Sequence, residues 1–296
     1  MVAAKCNYLR PILLINTRQM KNFFTAILAF GLLLQTAAFA QNKQIPYGHN
    51  DSVGKFYNVR GIRMYTEVYG NGRPLLMIHG NGGSMQAFGN NIPYFAQKYK
   101  VIAVDSRAQG RTKDNRDSLS FEMMADDFDA LLNAMHIDSA YVLGWSDGGI
   151  NALVLAMRHP DKVIKLAATG ANLWPDSTGL MPSYWKAEQR DYANWQKRMP
   201  LKDAATKNTY KIFMLDWLQP NIPLLALRTI KAPSLIIGGD HDLIPVHHTV
   251  DIYRNIPNAF LWIVPNSGHP TLMEHRDEFN RIVDDFFTQP FKRHGY

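Results

Sequence analysis

The chain has 296 residues, of which 46% are hydrophobic, 11% aromatic and 19% charged, with 20 Gly and 16 Pro. This composition excludes a disordered, collagen-like or coiled-coil chain, and the length allows one large domain or two small ones with a substantial core. The formal charge of +7 is unevenly spread: residues 1–40 hold Lys5, Arg10, Arg18 and Lys21 and no acid, which leaves 28 basic against 25 acidic side chains, or +3, and no basic cluster of the kind a nucleic-acid surface needs.

Met20-Lys21-Asn22 forms a short basic start, Phe23 to Leu34 an apolar run, and Ala38-Phe39-Ala40 places small residues at the two positions a signal peptidase reads. This is the pattern of a secretory signal peptide over residues 1–40, with cleavage expected after Ala40 and a periplasmic or secreted mature protein. The run falls short of the roughly 20 apolar residues that span a bilayer, so an uncleaved anchor is the weaker reading and no stable membrane insertion is expected after cleavage. Residues 1–19 make a long preceding stretch, and Met20 is an alternative start. Cys6, the single cysteine, lies ahead of the run. The mature chain is therefore expected to lack disulfides, a thiolate nucleophile, Cys-ligated zinc and a lipidated cysteine.

Beyond the leader, Phe56, Tyr57 and Val59 before Arg60-Gly61, and Ile62, Met64, Tyr65 and Val68 after it, read as a strand pair, closed by a turn at Asn71-Gly72. Apolar runs and helical stretches then alternate: a strand at Leu75–Ile78, a helix over Met85–Tyr99 that Pro93 can split, a strand at Val101–Val104 and a helix over Phe121–Met135. A strand at Tyr141–Gly144, a helix at Gly148–Arg158 and a strand at Val163–Ala168 follow. After a gap come strands at Ser234–Ile237 and Phe260–Val264, with helices over His247–Asn255 and Thr271–Phe287. This alternation predicts an α/β fold, a mostly parallel sheet with helices on both faces led by an antiparallel hairpin. The gap, residues 172–228, is too long for a plain loop and carries helical spacing instead, with Trp185, Tyr192, Trp195 and Met199 on one face and four of the six tryptophans (174, 185, 195 and 217) within it. These aromatics are expected to glue a helical insert onto the core, and some of them to roof a pocket.

Gly144-Trp145-Ser146-Asp147-Gly148 fits G-x-S-x-G, a weak signal alone, but the serine follows a buried strand and precedes a helix, the elbow that lifts a hydroxyl clear of a sheet. A serine needs a base to take its proton and an acid to orient that base. Both are available in the order Ser, Asp, His: Gly239-Asp240-His241-Asp242-Leu243-Ile244-Pro245 closes one strand, and Asn266-Ser267-Gly268-His269 closes the next. Both loops open at the carboxyl edge of the sheet, where ligands bind in such folds. His269 is the expected base, and Asp242, ahead of the rigid Pro245, is preferred as the acid over Asp240, which lies closer to the strand and suits the turn amides. His241, His247 and His248 lack the spacing of a metal site, so no metal is expected. Backbone N–H groups of Asp147 and of Asn81, in the glycine-rich loop His79-Gly80-Asn81-Gly82-Gly83, are the expected oxyanion donors. Trp145 and Asp147 beside the nucleophile, and Trp174 and Trp185 in the insert, are candidate substrate contacts.

At these residues, together with Asp105-Ser106-Arg107-Ala108-Gln109-Gly110-Arg111, the chain resembles the α/β-hydrolase superfamily over essentially all of the expected mature protein. Gly144-Trp145-Ser146-Asp147-Gly148-Gly149-Ile150 with Gly170-Ala171-Asn172 looks like its biphenyl-hydrolase-like branch, which includes valacyclovir-type esterases. Ala108 stands where the superfamily often has Gly, which reads as a local turn variation. The resemblance implies an eight-stranded sheet, core segments 41–171 and 229–296, a helical cap over 172–228 inserted after the sixth strand, and a serine triad without cofactors. In that branch the acid after the serine binds the amino group of amino-acid esters, the position of Asp147, although a carboxylate there equally suits the start of the elbow helix. The expected activity is cleavage of a small-molecule ester through an acyl-serine. The alternatives are carbon–carbon bond hydrolysis or cofactor-free perhydrolysis on the same triad, and a non-catalytic small-ligand-binding protein on the same scaffold.

Overall fold

A computed structural model describes residues 45–292. The leader expected over 1–40, the alternative start at Met20 and Cys6 lie outside the described residues.

Eight strands form one sheet: β1 (Gly54–Val59), β2 (Ile62–Tyr69), β3 (Arg73–Ile78), β4 (Tyr99–Val104), β5 (Ala140–Trp145), β6 (Val163–Thr169), β7 (Ser234–Gly239) and β8 (Ala259–Val264). Their order is β1-β2-β4-β3-β5-β6-β7-β8, with β2 antiparallel to both neighbours and all other pairs parallel. The helices are α1 (Phe121–Ala134), α2 (Asp147–Arg158), α3 (Pro182–Lys197), α4 (Ala204–Leu218), α5 (Val246–Asn255) and α6 (Arg276–Thr288). This is the α/β-hydrolase fold.

The strand period of two sends alternate side chains to opposite layers. Leu76 and Ile78 of β3 join Val142 of β5 and the apolar stripe Met124, Phe128, Leu131 and Leu132 of α1 in one core layer. Leu75 and Met77 join Leu143 and the Phe279, Val283 and Phe287 stripe of α6 in the other. Because both faces are covered, β3, β5 and β7 are almost continuously buried, which is why their sequences are unbroken apolar runs. Ser120 starts α1 by accepting the Met123 amide at 3.1 Å.

Two helical expectations change. Met85–Tyr99 is not one helix: a 3-10 turn at Met85–Phe88 and a single turn at Ile92–Phe95 precede β4, and Pro93 sits in the first turn of the latter, where its missing N–H costs no bond. The final helix is broken at His275, between one turn at Thr271–Glu274 and α6.

Between β6 and β7 the chain leaves the sheet for α3, α4 and a 3-10 turn at Leu224–Thr229. Helix α3 buries none of its residues, so the aromatics hold α3 to α4 rather than to the core. Trp185 and Tyr192 stack on the two sides of Trp217 at 4.9 and 4.4 Å, while Trp195 meets Tyr210 and Phe213. Met199, expected on that face, lies past the end of α3 and is exposed. The link to the core comes from α4, through buried Leu215 and through Lys211, whose ammonium reaches Asp114 at 2.7 Å and the Arg116 carbonyl at 2.8 Å.

Candidate active site

The carboxyl ends of β3, β5, β7 and β8 converge under the insert. Ser146 follows β5 in a left-handed conformation (φ 57°, ψ −122°) that a non-glycine residue adopts only when its surroundings impose it. One imposing contact is the Ser146 N–H, which donates to the Thr169 carbonyl at 2.9 Å on β6. Another is the approach of α2 to β3, so tight that any Cβ at Gly148 would collide with the Ile78 carbonyl. The elbow thus needs glycine there for packing, and the serine hydroxyl is left facing the cap.

The loops after β7 and β8 bring the other two groups to that hydroxyl. His269 Nε2 lies 2.9 Å from Ser146 Oγ, and its Nδ1 lies 2.7 Å from Asp242 Oδ1. Asp242 has a fully buried side chain and is held in turn by the Ile244 N–H at 3.1 Å. With an ionised Asp242 accepting, Nδ1 carries the proton and Nε2 is the free base that accepts the serine O–H. Asp240 does not enter this chain. Its Oδ1 accepts the Ser267 N–H at 3.0 Å, and the Asn266 and Ser267 amides hold its carboxyl below the ordinary range.

Opposite the imidazole, Asn81 and Asp147 line the same cavity as Ser146. The Asp147 N–H is the first of α2, so helix geometry leaves it without an intrahelical acceptor. The loop bearing Asn81 is fixed from beneath by His79: the Ser106 N–H donates to its Nε2 at 3.0 Å, so its Nδ1 keeps the proton and donates to the Gly80 carbonyl at 2.7 Å. Burial pulls the His79 pKa down, which favours this neutral bridging form.

The cavity measures about 540 Å³. Its wall includes Trp145, whose indole N–H donates to the His269 carbonyl at 3.1 Å, and Trp195 and Phe213 from the insert. Two candidate substrate contacts fall elsewhere. Trp174 packs edge-on against His248 at 5.0 Å, and Trp185 is consumed in the stack on Trp217, so neither lines the cavity. Trp195, one helical turn beyond Tyr192 and rotated towards α4's other edge, takes that place.

Three insert residues that the sequence reading did not single out also line the cavity: Tyr184, Glu188 and Asp216. Spacing held the only hint, since Tyr184 and Glu188 stand four apart on α3 as do Ile212 and Asp216 on α4, yet such acids normally face solvent. With Asp147 they make three carboxyl groups, and no Lys or Arg is among the described lining residues. Burial raises the pKa of all three; the neighbouring Asp147 pushes Asp216 further, well above the ordinary aspartate range. The Tyr184 phenol is raised as well, by burial and then by Glu188. Among the described residues no group of side chains has the makings of a metal centre.

Residues 73–208 match the protein family described as alpha/beta hydrolase fold. Among curated proteins, the chain is 28% identical over 247 residues to the human serine hydrolase BPHL, spanning 77% of this chain and 84% of that protein. It is 27% identical over 274 residues to the 2-hydroxymuconate semialdehyde hydrolase of Pseudomonas sp. strain CF600, spanning 81% and 96%. Among solved structures, Est816, described as an N-acyl homoserine lactone degrading enzyme, superposes with a TM-score of 0.65 at 26% identity, over 78% of this chain and 99% of that one.

Proposed function

Because this chain is a serine hydrolase of the α/β-hydrolase superfamily, in its biphenyl-hydrolase-like branch, we propose that it cleaves small carboxylic esters, amino-acid esters above all, through an acyl-serine. The observation that carries this reading is the unbroken chain from Asp242 through His269 to Ser146 at the floor of a cavity walled by carboxyl groups. Ser146 Oγ attacks the ester carbonyl while His269 Nε2 takes its proton, and Asp242 steadies the imidazolium that results. The Asn81 and Asp147 N–H groups stabilise the oxyanion. His269 then protonates the departing alcohol, and a water activated by the same nitrogen releases the acid.

The cavity's charge supports this reading over carbon–carbon hydrolysis. The relatives include a 2-hydroxy-6-oxo-6-phenylhexa-2,4-dienoate hydrolase from Burkholderia cepacia, whose named substrate is an anion. A pocket with three carboxyl groups and neither Lys nor Arg among its described lining residues disfavours an anion and suits an ammonium, which Asp147 would pair beside the nucleophile. No step requires a cofactor. We also assign residues 1–40 as a leader that directs the protein to the periplasm or the medium; the support is the basic start, the apolar run and Ala38-Phe39-Ala40.

A fluorophosphonate probe is expected to label wild type at Ser146, and p-nitrophenyl acetate to be turned over by wild type and not by Ser146→Ala. A free-amine ester is expected to be preferred over its N-acetyl form, with the preference lost in Asp147→Asn. Equal turnover by Ser146→Ala removes serine catalysis, and faster cleavage of a ring-fission diketone than of any ester moves the assignment to carbon–carbon chemistry. For the leader, sequencing the exported protein is expected to return Gln41 as its first residue, and an intact leader on the mature protein overturns that part.

A further inference from the structure

We propose that Asp216 is a positioning residue: its protonated carboxyl group donates a hydrogen bond to the Asp147 carboxylate, and this pair ties the insert to Asn81 and so sets the oxyanion donors. The inference rests on the serine-hydrolase reading of the pocket and adds a residue from the insert to its machinery.

Three contacts meet at one amide. Asn81 Nδ2 donates to Asp147 Oδ2 at 2.9 Å and to the Ile212 carbonyl at 3.3 Å. Ile212 is one turn before Asp216 on α4, and Asn81, Asp147, Ile212 and Asp216 line one cavity, with the Asp216 carboxyl group a hydrogen-bonding neighbour of Asp147. Asn81 and Asp147 are also the two residues proposed above to supply the oxyanion donors. A single locus therefore joins the loop after β3, the start of α2 and the insert helix α4.

Two ionised carboxylates cannot stay in such contact in a buried pocket. One proton between them turns repulsion into a charge-assisted hydrogen bond. The surroundings offer no other neutralisation. Facing the pair are Glu188 and Tyr184 from α3 and His269 from the loop after β8, and no Lys or Arg is among the described lining residues. Asp216 is the partner that keeps the proton: Asn81 lowers both carboxyl groups, but at Asp216 burial is joined by the charges of Asp147 and Glu188, whereas at Asp147 it is opposed by His269. The pair then holds one negative charge. When base removes the proton to solvent it holds two, the contact opens, and Asn81 loses its tie to α4.

The experiment follows hydrolysis of p-nitrophenyl butyrate, a neutral ester that needs no amine subsite, across pH 5 to 10 in wild type, Asp216→Asn and Asp216→Ala. Asparagine keeps a donor but has no proton to lose. Wild-type kcat is expected to fall by about tenfold as pH rises through the raised Asp216 value, with little change in KM, since a displaced oxyanion donor acts on the transition state. Asp216→Asn is expected to keep kcat within about threefold of the wild-type value before that fall and to lose the fall itself, while Asp216→Ala, with no donor, lies about tenfold below that value at every pH. Unfolding supplies a readout that needs no turnover. A carboxyl group whose folded pKa is raised contributes stability that is complete below the ordinary aspartate range and is lost as pH rises through the raised value, so wild-type Tm should decline over that window relative to Asp216→Asn. Matching alkaline limbs and matching Tm profiles in wild type and Asp216→Asn overturn the proposal, as does an unimpaired Asp216→Ala. Absence of ester turnover and of fluorophosphonate labelling in wild type counts against the hydrolase reading instead, and the Tm comparison still decides the pair.

Discussion

Gly170 forms the seat of His269: a Cβ at position 170 would stand 2.7 Å from the ring's Cε1 and 3.0 Å from its Nδ1. The residue sits at the end of β6 with φ +65°, a conformation that also disfavours any side chain, and its N–H is held by the Ile237 carbonyl at 3.0 Å. Gly170→Ala should therefore push the imidazole off its line between Asp242 and Ser146. The expected result is a loss of about 10² in kcat, the scale of a misplaced catalytic group. The accompanying cost in stability is about 1–2 kcal/mol from the left-handed backbone. Kinetics on a p-nitrophenyl ester with a parallel melting curve separate the two effects; unchanged kcat would mean that the ring is not held from beneath.

Asp242 and Asp240 are two residues apart and differ in what they touch. Only Asp242 reaches His269, so Asp242→Asn should lower kcat by roughly 10⁴, as loss of the orienting acid does in triads generally. Asp240→Asn removes an acceptor for turn amides on an exposed loop and should leave kcat within about threefold, a change below what loss of a single oxyanion donor produces. Comparable losses in the two variants would show that the loop, rather than one carboxylate, governs the imidazole.

A buried ionic clasp fastens the insert to the core. Lys211 on α4 meets Asp114 at 2.7 Å, Asp114 meets Arg107 at 2.8 Å, and Arg107 meets Asp127 at 2.6 Å, with all four side chains at most 6% exposed. Burial alone would raise the Asp114 pKa, but Lys211 and Arg107 outweigh it and hold the carboxyl below its ordinary value. Stability from such a group is complete above the unfolded aspartate pKa and lost as pH falls through the lower folded value, so this part of acid unfolding lies below about pH 4. Asp114→Ala leaves the buried Lys211 ammonium without its carboxylate and Arg107 with Asp127 alone, and should cost about 3–5 kcal/mol, read as a drop in Tm at neutral pH. Asp114→Asn should lose less and flatten the acid limb of the Tm profile.

Much of the fold is legible because β3, β5 and β7 are covered on both faces and so read as unbroken apolar runs; the loops bearing Ser146 and Asp242 follow two of them, while His269 follows the half-exposed edge strand β8, whose sequence is still apolar. The insert is not legible in the same way. Trp185 and Trp195 share a helix, yet one is spent stacking on Trp217 and the other faces the cavity, and only the register of α3 against α4 distinguishes them. Asp216 lies between Leu215 and Trp217 with the spacing of an ordinary solvated acid; its position against Asp147 depends on where α4 crosses the elbow, which no local pattern encodes. Pro93 and His275 mislead for a related reason, since whether a helix turns or continues there is set by packing.

Glu67 extends the same logic to the beginning of the described chain. It is fully buried on β2 and accepts four hydrogen bonds: the Gly48 N–H at 2.9 Å, the Asn50 N–H at 2.8 Å, the Tyr65 hydroxyl at 2.8 Å and the Tyr69 hydroxyl at 2.7 Å. The segment around Tyr47 is thus fastened to the sheet edge by one side chain, with Tyr47 packed edge-on to Tyr69 at 5.2 Å. Glu67→Ala strands several buried donors at once and should cost on the order of 3 kcal/mol. Glu67→Gln preserves shape but turns an NH₂ group towards donors, so it should fall between wild type and alanine. Limited proteolysis is expected to cut residues 45–53 of Glu67→Ala well before the rest of the domain, while kcat at 25 °C stays near wild type because no cavity residue touches this cluster. Protection of that segment equal to wild type would mean that Tyr47 packing alone holds it, and would move the anchoring role from the carboxylate to the aromatic pair.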